Sequence, residues 1–257
     1  MTTPVLEVRD LSVTFDTRDG VVHAVNGNSF VLKEGQCLAV LGESGSGKSV
    51  TAQAIMGILP AGYANVTEGS ITYRGVDLLS LSEVERTKVR GHQIAMIFQD
   101  SLSALNPVYK VGKQITEVYA RQKGVSRADA RKKALELMDL VRIPDATNRI
   151  NSFPFQFSGG MRQRIMIAMS LALDPDVLIA DEPTTALDVT VQAEIMALLQ
   201  DIRTERNMSM ILITHDMGVV AENADDVVVM YAGRCIERGT VAGVYASPRH
   251  PYTVGLL

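Results

Sequence analysis

Short apolar runs alternate with stretches of helical periodicity over most of the chain. The runs at 37–41, 94–98, 177–180 and 210–214 are almost wholly apolar, which is typical of strands buried on both faces. Apolar residues at helix spacing lie between the runs, most clearly at 191–206. This alternation predicts an α/β fold with a mostly parallel sheet that helices cover on both faces.

Two regions depart from this alternation. Residues 5–32 carry several strand-like runs, including 5–9 and 11–15, and they predict an antiparallel layer of short strands. Residues 110–150 have helical spacing without a strand candidate, and they predict a separate helical subdomain. Asn28 is unusual, because it places a polar amide where an apolar residue would continue a strand. It must either face solvent or find hydrogen-bond partners.

Composition narrows the class of protein. A chain of 257 residues with 46% hydrophobic positions is long enough for one α/β domain with a sizeable core. The formal net charge of -4 argues against broad nucleic-acid binding. Cys37 and Cys235 lie in strand-like runs, which favours reduced core thiols in a cytosolic protein. Neither a signal-peptide pattern nor a membrane-spanning run is visible, so any membrane role is expected to come through a partner.

The stretch from Gly42 to Ser49 is the strongest local signal. It fits the phosphate-loop pattern G-x-x-x-x-G-K-[ST] between a predicted strand and a predicted helix. We expect its backbone N–H groups to bind phosphate, Lys48 to contact the β- and γ-phosphates, and the Ser49 hydroxyl to ligate Mg²⁺. A glycine-rich turn with a chance lysine is the alternative, which the flanking elements disfavour. The predicted ATP-binding residues are Gly42, Glu43, Ser44, Gly45, Ser46, Gly47, Lys48, Ser49 and Val50.

Polar residues come directly after three further buried runs: Gln99, the pair Asp181 and Glu182, and His215. Ligands of open α/β sheets bind beyond the carboxyl ends of the strands, so these side chains are expected beside the phosphate loop. Asp181 would hold Mg²⁺, and Glu182 would polarise the attacking water. His215 would hydrogen-bond the γ-phosphate, and Gln99 would contact Mg²⁺ or the water. The alternatives are a solvated acidic pair, a structural histidine and an ordinary loop glutamine.

A second helix start with anion-binding character follows the helical region. Ser158, Gly159, Gly160 and Met161 offer a hydroxyl and unobstructed backbone N–H groups to an anion. Because the chain already has one phosphate loop, a second such site makes sense if it closes on the nucleotide of another protomer.

These motifs, in this order, resemble the ABC-transporter ATPase family over essentially the whole chain. They match its Walker A, Q-loop, signature, Walker B, D-loop and switch histidine, with the D-loop at 185–188. The signature departs from the commoner Leu-Ser-Gly-Gly-Gln at Phe157 and Met161, while the Ser-Gly-Gly centre is intact.

The resemblance implies a head-to-tail dimer with two ATP molecules at its interface, each held by the phosphate loop of one protomer and the signature of the other. Asp188 would reach across this interface. Phe15 would stack on adenine, although a strand residue facing the core is the alternative. The implied fold is a P-loop NTPase core with an N-terminal antiparallel layer and an inserted helical subdomain. We expect one ABC ATPase domain, with 1–85 and 165–257 as the core and about 86–164 as the helical subdomain that carries the signature.

The implied roles divide the site residues into two groups. Glu182, His215, Lys48 and Gln99 form the catalytic set. The expected metal ligands for Mg²⁺ are Ser49, Gln99 and Asp181.

Three segments resemble the oligopeptide, dipeptide and nickel branch of ABC importers: 161–169, Asn106-Pro107, and 247–253 with its His-Pro-Tyr-Thr sequence. The resemblance implies ATP hydrolysis that drives import of peptides or related small solutes. Nickel or an oligosaccharide is an alternative solute. A soluble non-transport ABC ATPase and a nucleotide-dependent interaction module are alternative classes.

The implied partners are a second ABC ATPase subunit, identical or different, two integral-membrane permease subunits, and an extracytoplasmic solute-binding protein. No nucleic acid is expected. The implied location is the cytoplasmic face of the bacterial inner membrane.

Overall fold

The computed structural model describes residues 4–100, 104–185 and 187–257. The strands are β1 Pro4–Thr17, β2 Gly20–Lys33, β3 Cys37–Leu41, β4 Ala64–Tyr73, β5 Val76–Asp77, β6 Ile94–Ile97, β7 Val177–Asp181, β8 Ser209–Thr214, β9 Asp226–Tyr231 and β10 Arg234–Thr240. The helices are α1 Lys48–Met56, α2 Glu83–Val89, α3 Val111–Lys123, α4 Arg127–Leu140, α5 Ala146–Arg149, α6 Gly159–Ser170, α7 Val189–Arg206, α8 Met217–Asn223, α9 Val241–Ala246 and α10 Pro251–Leu256. A short 3₁₀ turn, Pro154–Gln156, precedes α6.

The strands form two sheets. The first is antiparallel, with the order β2-β1-β4-β5. The second has the order β10-β9-β3-β8-β7-β6, and all its neighbouring pairs are parallel except β9 with β10. The four apolar runs form β3, β6, β7 and β8, so the prediction of a mostly parallel core sheet is confirmed. The α/β fold with an antiparallel N-terminal layer is confirmed as well.

Alternation along the central strands supplies both faces of the core. In β8, Met210 and Leu212 pack with the cluster that includes the apolar side chains of α3, α4 and α6. Ile211 and Ile213 pack on the opposite side with side chains of the N-terminal sheet and α1. A strand that is buried on both faces has no solvent-exposed face for polar residues, which is why these runs are continuously apolar.

The N-terminal strands differ from their predicted bounds. The two short strands predicted at 5–9 and 11–15 are one strand of 14 residues, β1. Asp10 interrupts the pattern with a φ of 47°, and the pairing register with β2 shifts between Val8 and Leu11. A bulge of this kind moves the alternation out of step without ending the strand. β6 is one residue shorter than predicted, and Phe98 beyond it is 43% exposed.

Asn28 connects the two sheets. Its side chain is buried, and its Oδ1 accepts a hydrogen bond of 2.7 Å from the backbone N–H of Cys235 on β10. The register of β10 with β9 shifts between Cys235 and Glu237, so the amide fills a gap in the ladder. The sequence predicted that Asn28 either faces solvent or finds hydrogen-bond partners, and the second of these alternatives is confirmed.

Helices α3 to α6 lie between β6 and β7 in the chain, and the pattern that predicted helices at 110–150 is confirmed by α3, α4 and α5. None of the helices in the described ranges combines the length and hydropathy needed to cross a bilayer.

Candidate active site

The phosphate loop connects β3 to α1, as its pattern requires. Gly47 precedes α1 with a φ of 98°, and a Cβ atom there would lie 2.4 Å from the Ala24 carbonyl oxygen. A Cβ atom on Gly42 would lie 2.3 Å from the Met230 carbonyl oxygen. The two glycines are therefore required by close backbone approach, which allows the loop to curl tightly at the end of the central strand.

Lys48 points back into its own loop. Its ammonium donates hydrogen bonds of 2.7 Å to the Gly42 carbonyl and 2.8 Å to the Glu43 carbonyl. The side chain is buried, and burial lowers the pKa of Lys48, while the carboxylates of Glu182 and Asp181 oppose that shift. Phosphate oxygens can replace the two carbonyl acceptors without moving the ammonium out of the loop.

Ser49 and Asp181 bring two metal-binding groups together. The Ser49 hydroxyl donates a hydrogen bond of 3.1 Å to Oδ1 of Asp181. Burial raises the pKa of this carboxyl group, and the hydrogen bond from Ser49 opposes the rise. A hydroxyl and a carboxylate oxygen are the hard ligands that Mg²⁺ takes from proteins alongside phosphate and water, so the pair fits the expected cation.

Glu182 lies at the centre of a hydrogen-bonded group. Its Oε2 accepts from Nε2 of Gln99 at 2.9 Å and from the Thr185 hydroxyl at 2.8 Å. Nδ1 of His215 lies 3.5 Å from its Oε1. The Glu182 backbone has a φ of 46°, and its N–H donates to the Ile213 carbonyl at 2.9 Å. The side chain is thus fixed just beyond the ends of β6, β7 and β8.

The predicted strand-end residues are therefore brought together. Gln99 was expected to contact Mg²⁺ or water, whereas its amide contacts Glu182 in this structure, and its metal role stays a prediction. The sequence placed Thr185 in the D-loop but did not predict its contact with Glu182. The signal that could have found it is its position three residues after Glu182 in a turn, where a hydroxyl can reach back to the carboxylate.

The signature forms the start of α6. The Ser158 hydroxyl accepts a hydrogen bond of 3.3 Å from the Met161 backbone N–H and caps the helix. A Cβ atom on Gly160 would lie 2.6 Å from Cγ1 of Val191, so glycine here also allows α6 to approach α7. No hydrogen bond within the described ranges joins Ser158, Gly159, Gly160 or Met161 to the phosphate loop.

The remaining predicted residues have local roles in one copy of the chain. The Asp188 carboxylate caps α7 by accepting from the Val191 N–H at 3.0 Å, and its role across a dimer stays a prediction. Phe15 is half-buried on β1 and packs against the core beneath the N-terminal sheet. Val50 lies in the first turn of α1 and packs against the same core.

Comparison with known proteins decides the family. Residues 25–185 match the family model described as ABC transporter. The chain belongs to the ABC transporter family. It is an ATPase of that family.

Individual members of the ABC family are similar over most of their length. The chain is 54% identical to the oligopeptide transport ATP-binding protein OppD of Bacillus subtilis over 99% of this chain and 71% of that protein. It is 54% identical to the dipeptide transport ATP-binding protein DppD of Lactococcus lactis over 98% of this chain and 72% of that protein. The fold resembles the dimeric ATP-binding cassette MJ0796 bound to ADP and Pi, with a TM-score of 0.82, 26% identity, and coverage of 92% and 98% of the two chains.

Proposed function

We propose that this chain is the ATP-hydrolysing subunit of an importer of oligopeptides or dipeptides. The observation that carries the proposal is identity of about half or more, over nearly the whole chain, to ATP-binding proteins of oligopeptide and dipeptide transport. The segments at 161–169 and 247–253, which resemble the same branch, support it independently of the active-site motifs.

We propose that the working unit contains a second ATPase subunit, two integral-membrane permease subunits and an extracytoplasmic solute-binding protein, at the cytoplasmic face of the inner membrane. Three exposed apolar side chains in the segment between β6 and α3 support a protein contact there: Phe98 is 43%, Val108 is 71% and Tyr109 is 43% exposed. Within the stretch of about 86–164 that we propose as the helical subdomain, β6 belongs to the core sheet, and the helices after it would carry motion from Gln99 to the permease.

Each ATP is proposed to lie between two protomers. The phosphate loop, Ser49 and Asp181 of one protomer would bind the phosphates, while Ser158, Gly159 and Gly160 of the other would face the γ-phosphate. Ser158 presents the N-terminus of a 12-residue helix, which favours an anion. Mg²⁺, held by Ser49 and Asp181, would neutralise charge on the β- and γ-phosphates.

Hydrolysis is proposed to begin at Glu182. Its carboxylate would take a proton from a water molecule while the water oxygen bonds to the γ-phosphorus and the bond to the β-phosphate oxygen breaks. His215 would hold the γ-phosphate in line with that water, and Lys48 would stabilise the charge on the departing ADP. Gln99 and Thr185 keep the Glu182 carboxylate in one orientation through the hydrogen bonds described above.

The test is substrate-stimulated hydrolysis in a reconstituted complex. The chain is expressed with the membrane subunits that co-purify with it, placed in proteoliposomes, and mixed with the solute-binding protein and one solute at a time. We expect a dipeptide or pentapeptide to raise phosphate release several-fold and to accumulate on the side of the ATPase. Glu182→Gln should reduce turnover at least about a hundred-fold while retaining ATP binding.

The solute panel includes Ni²⁺ and an oligosaccharide. Stimulation by one of these and by no peptide would replace peptide with that solute. Failure of the chain to associate with any membrane subunit, with hydrolysis intact, would favour the soluble non-transport class. Turnover by Glu182→Gln near that of the unmodified chain would remove Glu182 from the role of base.

A further inference from the structure

The last helix of the chain contacts the phosphate loop. The backbone N–H of Glu43, the second residue of the loop, donates a hydrogen bond of 3.0 Å to the hydroxyl of Tyr252 on α10. We propose that Tyr252 is a positioning residue for ATP binding: its hydroxyl orients the first peptide unit of the phosphate loop. The inference depends on the ATPase activity and not on the identity of the transported solute.

The same peptide unit is held from its other side by Lys48. The Gly42 carbonyl and the Glu43 N–H belong to one planar, trans peptide, so they point in opposite directions. Lys48 donates to the carbonyl at 2.7 Å, while Tyr252 accepts from the N–H. Rotation of the peptide away from Tyr252 would turn the carbonyl away from Lys48. Tyr252 thereby keeps one of the two carbonyl acceptors of the Lys48 ammonium in place.

The segment before Tyr252 is anchored to β10. The Glu237 carboxylate accepts hydrogen bonds from the backbone N–H groups of Arg249 at 2.8 Å and His250 at 3.0 Å. Nδ1 of His250 accepts from the Tyr252 N–H at 3.1 Å and caps α10. These contacts fix the Tyr252 backbone independently of the loop, so the phenol can act as a fixed point for the loop.

The ring of Tyr252 is held by the end of β9. Its centroid lies 4.6 Å from that of Tyr231, with the ring planes tilted by 47°. The residue before, Met230, brings its carbonyl against Gly42. In the following turn, the Gly233 N–H donates to the Ser46 carbonyl at 3.1 Å. The end of β9, the turn after it and α10 therefore contact the phosphate loop between Gly42 and Ser46. Tyr252 supplies a hydrogen bond from a side chain.

The test separates the hydroxyl from the ring. Tyr252→Phe keeps the ring stack and removes the acceptor of the Glu43 N–H. We expect KM and Kd for ATP to rise about three- to ten-fold, as the loss of one hydrogen bond predicts, with kcat within about two-fold of the unmodified chain. Binding is measured by titration of ATP with Mg²⁺, and turnover by phosphate release from the full chain.

Tyr245→Phe is the matched control. The Tyr245 hydroxyl also makes a hydrogen bond, to the Met217 carbonyl, but this bond lies outside the phosphate loop. Loss of it should leave Kd for ATP unchanged. Melting without nucleotide is measured for both variants to separate loop geometry from stability. Equal Kd values for Tyr252→Phe and the unmodified chain would overturn the inference. So would a loss confined to kcat or to the melting temperature.

Discussion

At the residue scale, the carboxylate of Glu182, the proposed base, depends on its neighbours for its orientation. Glu182 accepts hydrogen bonds from Gln99 and Thr185 on one oxygen and faces His215 with the other. The backbone N–H of Glu182 is bonded to β8, which fixes the main chain from which the carboxylate projects. Strand-end positions predicted which residues would meet. These positions could not predict which side chains would hydrogen-bond to each other, because such bonds depend on rotamers that the sequence does not specify.

Thr185→Val tests this orientation. Valine keeps the shape of threonine and removes the hydroxyl that donates to Glu182 at 2.8 Å. We expect kcat to fall about ten- to a hundred-fold, because a hydrogen bond to a charged group contributes roughly 1.5–3 kcal/mol, while Kd for ATP stays unchanged. Thr185→Ser retains the hydroxyl and should keep most of kcat. Equal activity of the valine and serine variants would show that the hydroxyl has no role.

The Asp181 carboxyl group predicts a stability change with pH. Burial raises its pKa in the folded chain above the unfolded value, so the ionised form is less favourable in the folded state. The ionised carboxylate therefore lowers the free energy of unfolding. This effect is absent when the pH is below the pKa of Asp181 in the unfolded chain, and it is complete when the pH is above the pKa of Asp181 in the folded chain. Stability from this group therefore falls as pH rises through that window.

Asp181→Asn removes the titrating group and keeps an oxygen that can accept from Ser49. Without nucleotide or Mg²⁺, the variant should melt at a higher temperature than the unmodified chain at pH 7. The difference should vanish at pH values below the ordinary pKa of aspartate. Melting curves over this pH range measure both effects, and a variant that melts lower at pH 7 would contradict the argument.

At the element scale, the sequence was most informative where a strand is buried on both faces. The runs that form β3, β7 and β8 could be predicted as strands from the sequence alone, because they are almost continuously apolar. β1 was harder to predict as one strand, because the bulge at Asp10 reverses the faces that the following residues occupy. Asn28 shows the same limit: its partner is Cys235, 207 residues away in sequence.

The glycines of the signature have a packing role that the motif did not reveal. A Cβ atom on Gly160 would lie 2.6 Å from Cγ1 of Val191, closer than side chains pack, so Gly160→Ala must either rotate Val191 or push α6 away from α7. We expect the free energy of unfolding to fall by about 1–2 kcal/mol without nucleotide. Denaturant unfolding followed by circular dichroism measures this change.

Gly255→Ala is the control for this variant. Gly255 lies in α10, and a Cβ atom there would meet nothing within 4 Å. The free energy of unfolding of the Gly255→Ala variant should be unchanged or slightly increased. The double variant Gly160→Ala with Val191→Ala removes the clash and should recover most of the loss. A Gly160→Ala chain as stable as the unmodified one would show that the helices separate at no cost.

At the scale of the whole molecule, one copy of the chain would hold halves of two different sites in the proposed dimer. The phosphate loop, Asp181 and Glu182 lie at the carboxyl ends of the core strands. The signature lies at the start of α6, and within the described ranges it contacts α5, α7 and Leu187 just before α7. A helix N-terminus favours an anion, and we propose that this one completes the site of a second copy. The family motifs predicted this division, whereas the contact of Tyr252 with the loop lay outside them.

Mixing two inactive variants tests the division if the two subunits are identical. Lys48→Ala disables the phosphate loop and leaves the signature intact, whereas Ser158→Arg blocks the signature and leaves the loop intact. In a mixed dimer, the intact loop of one chain faces the intact signature of the other, so one site in two is complete. With random pairing of equal amounts, we expect about a quarter of the unmodified activity, although each variant alone is inactive. Phosphate release from the mixture measures this recovery. Activity that stays at the level of the separate variants would exclude a homodimer with shared sites, and the same pair of variants would then be tested against a different partner subunit.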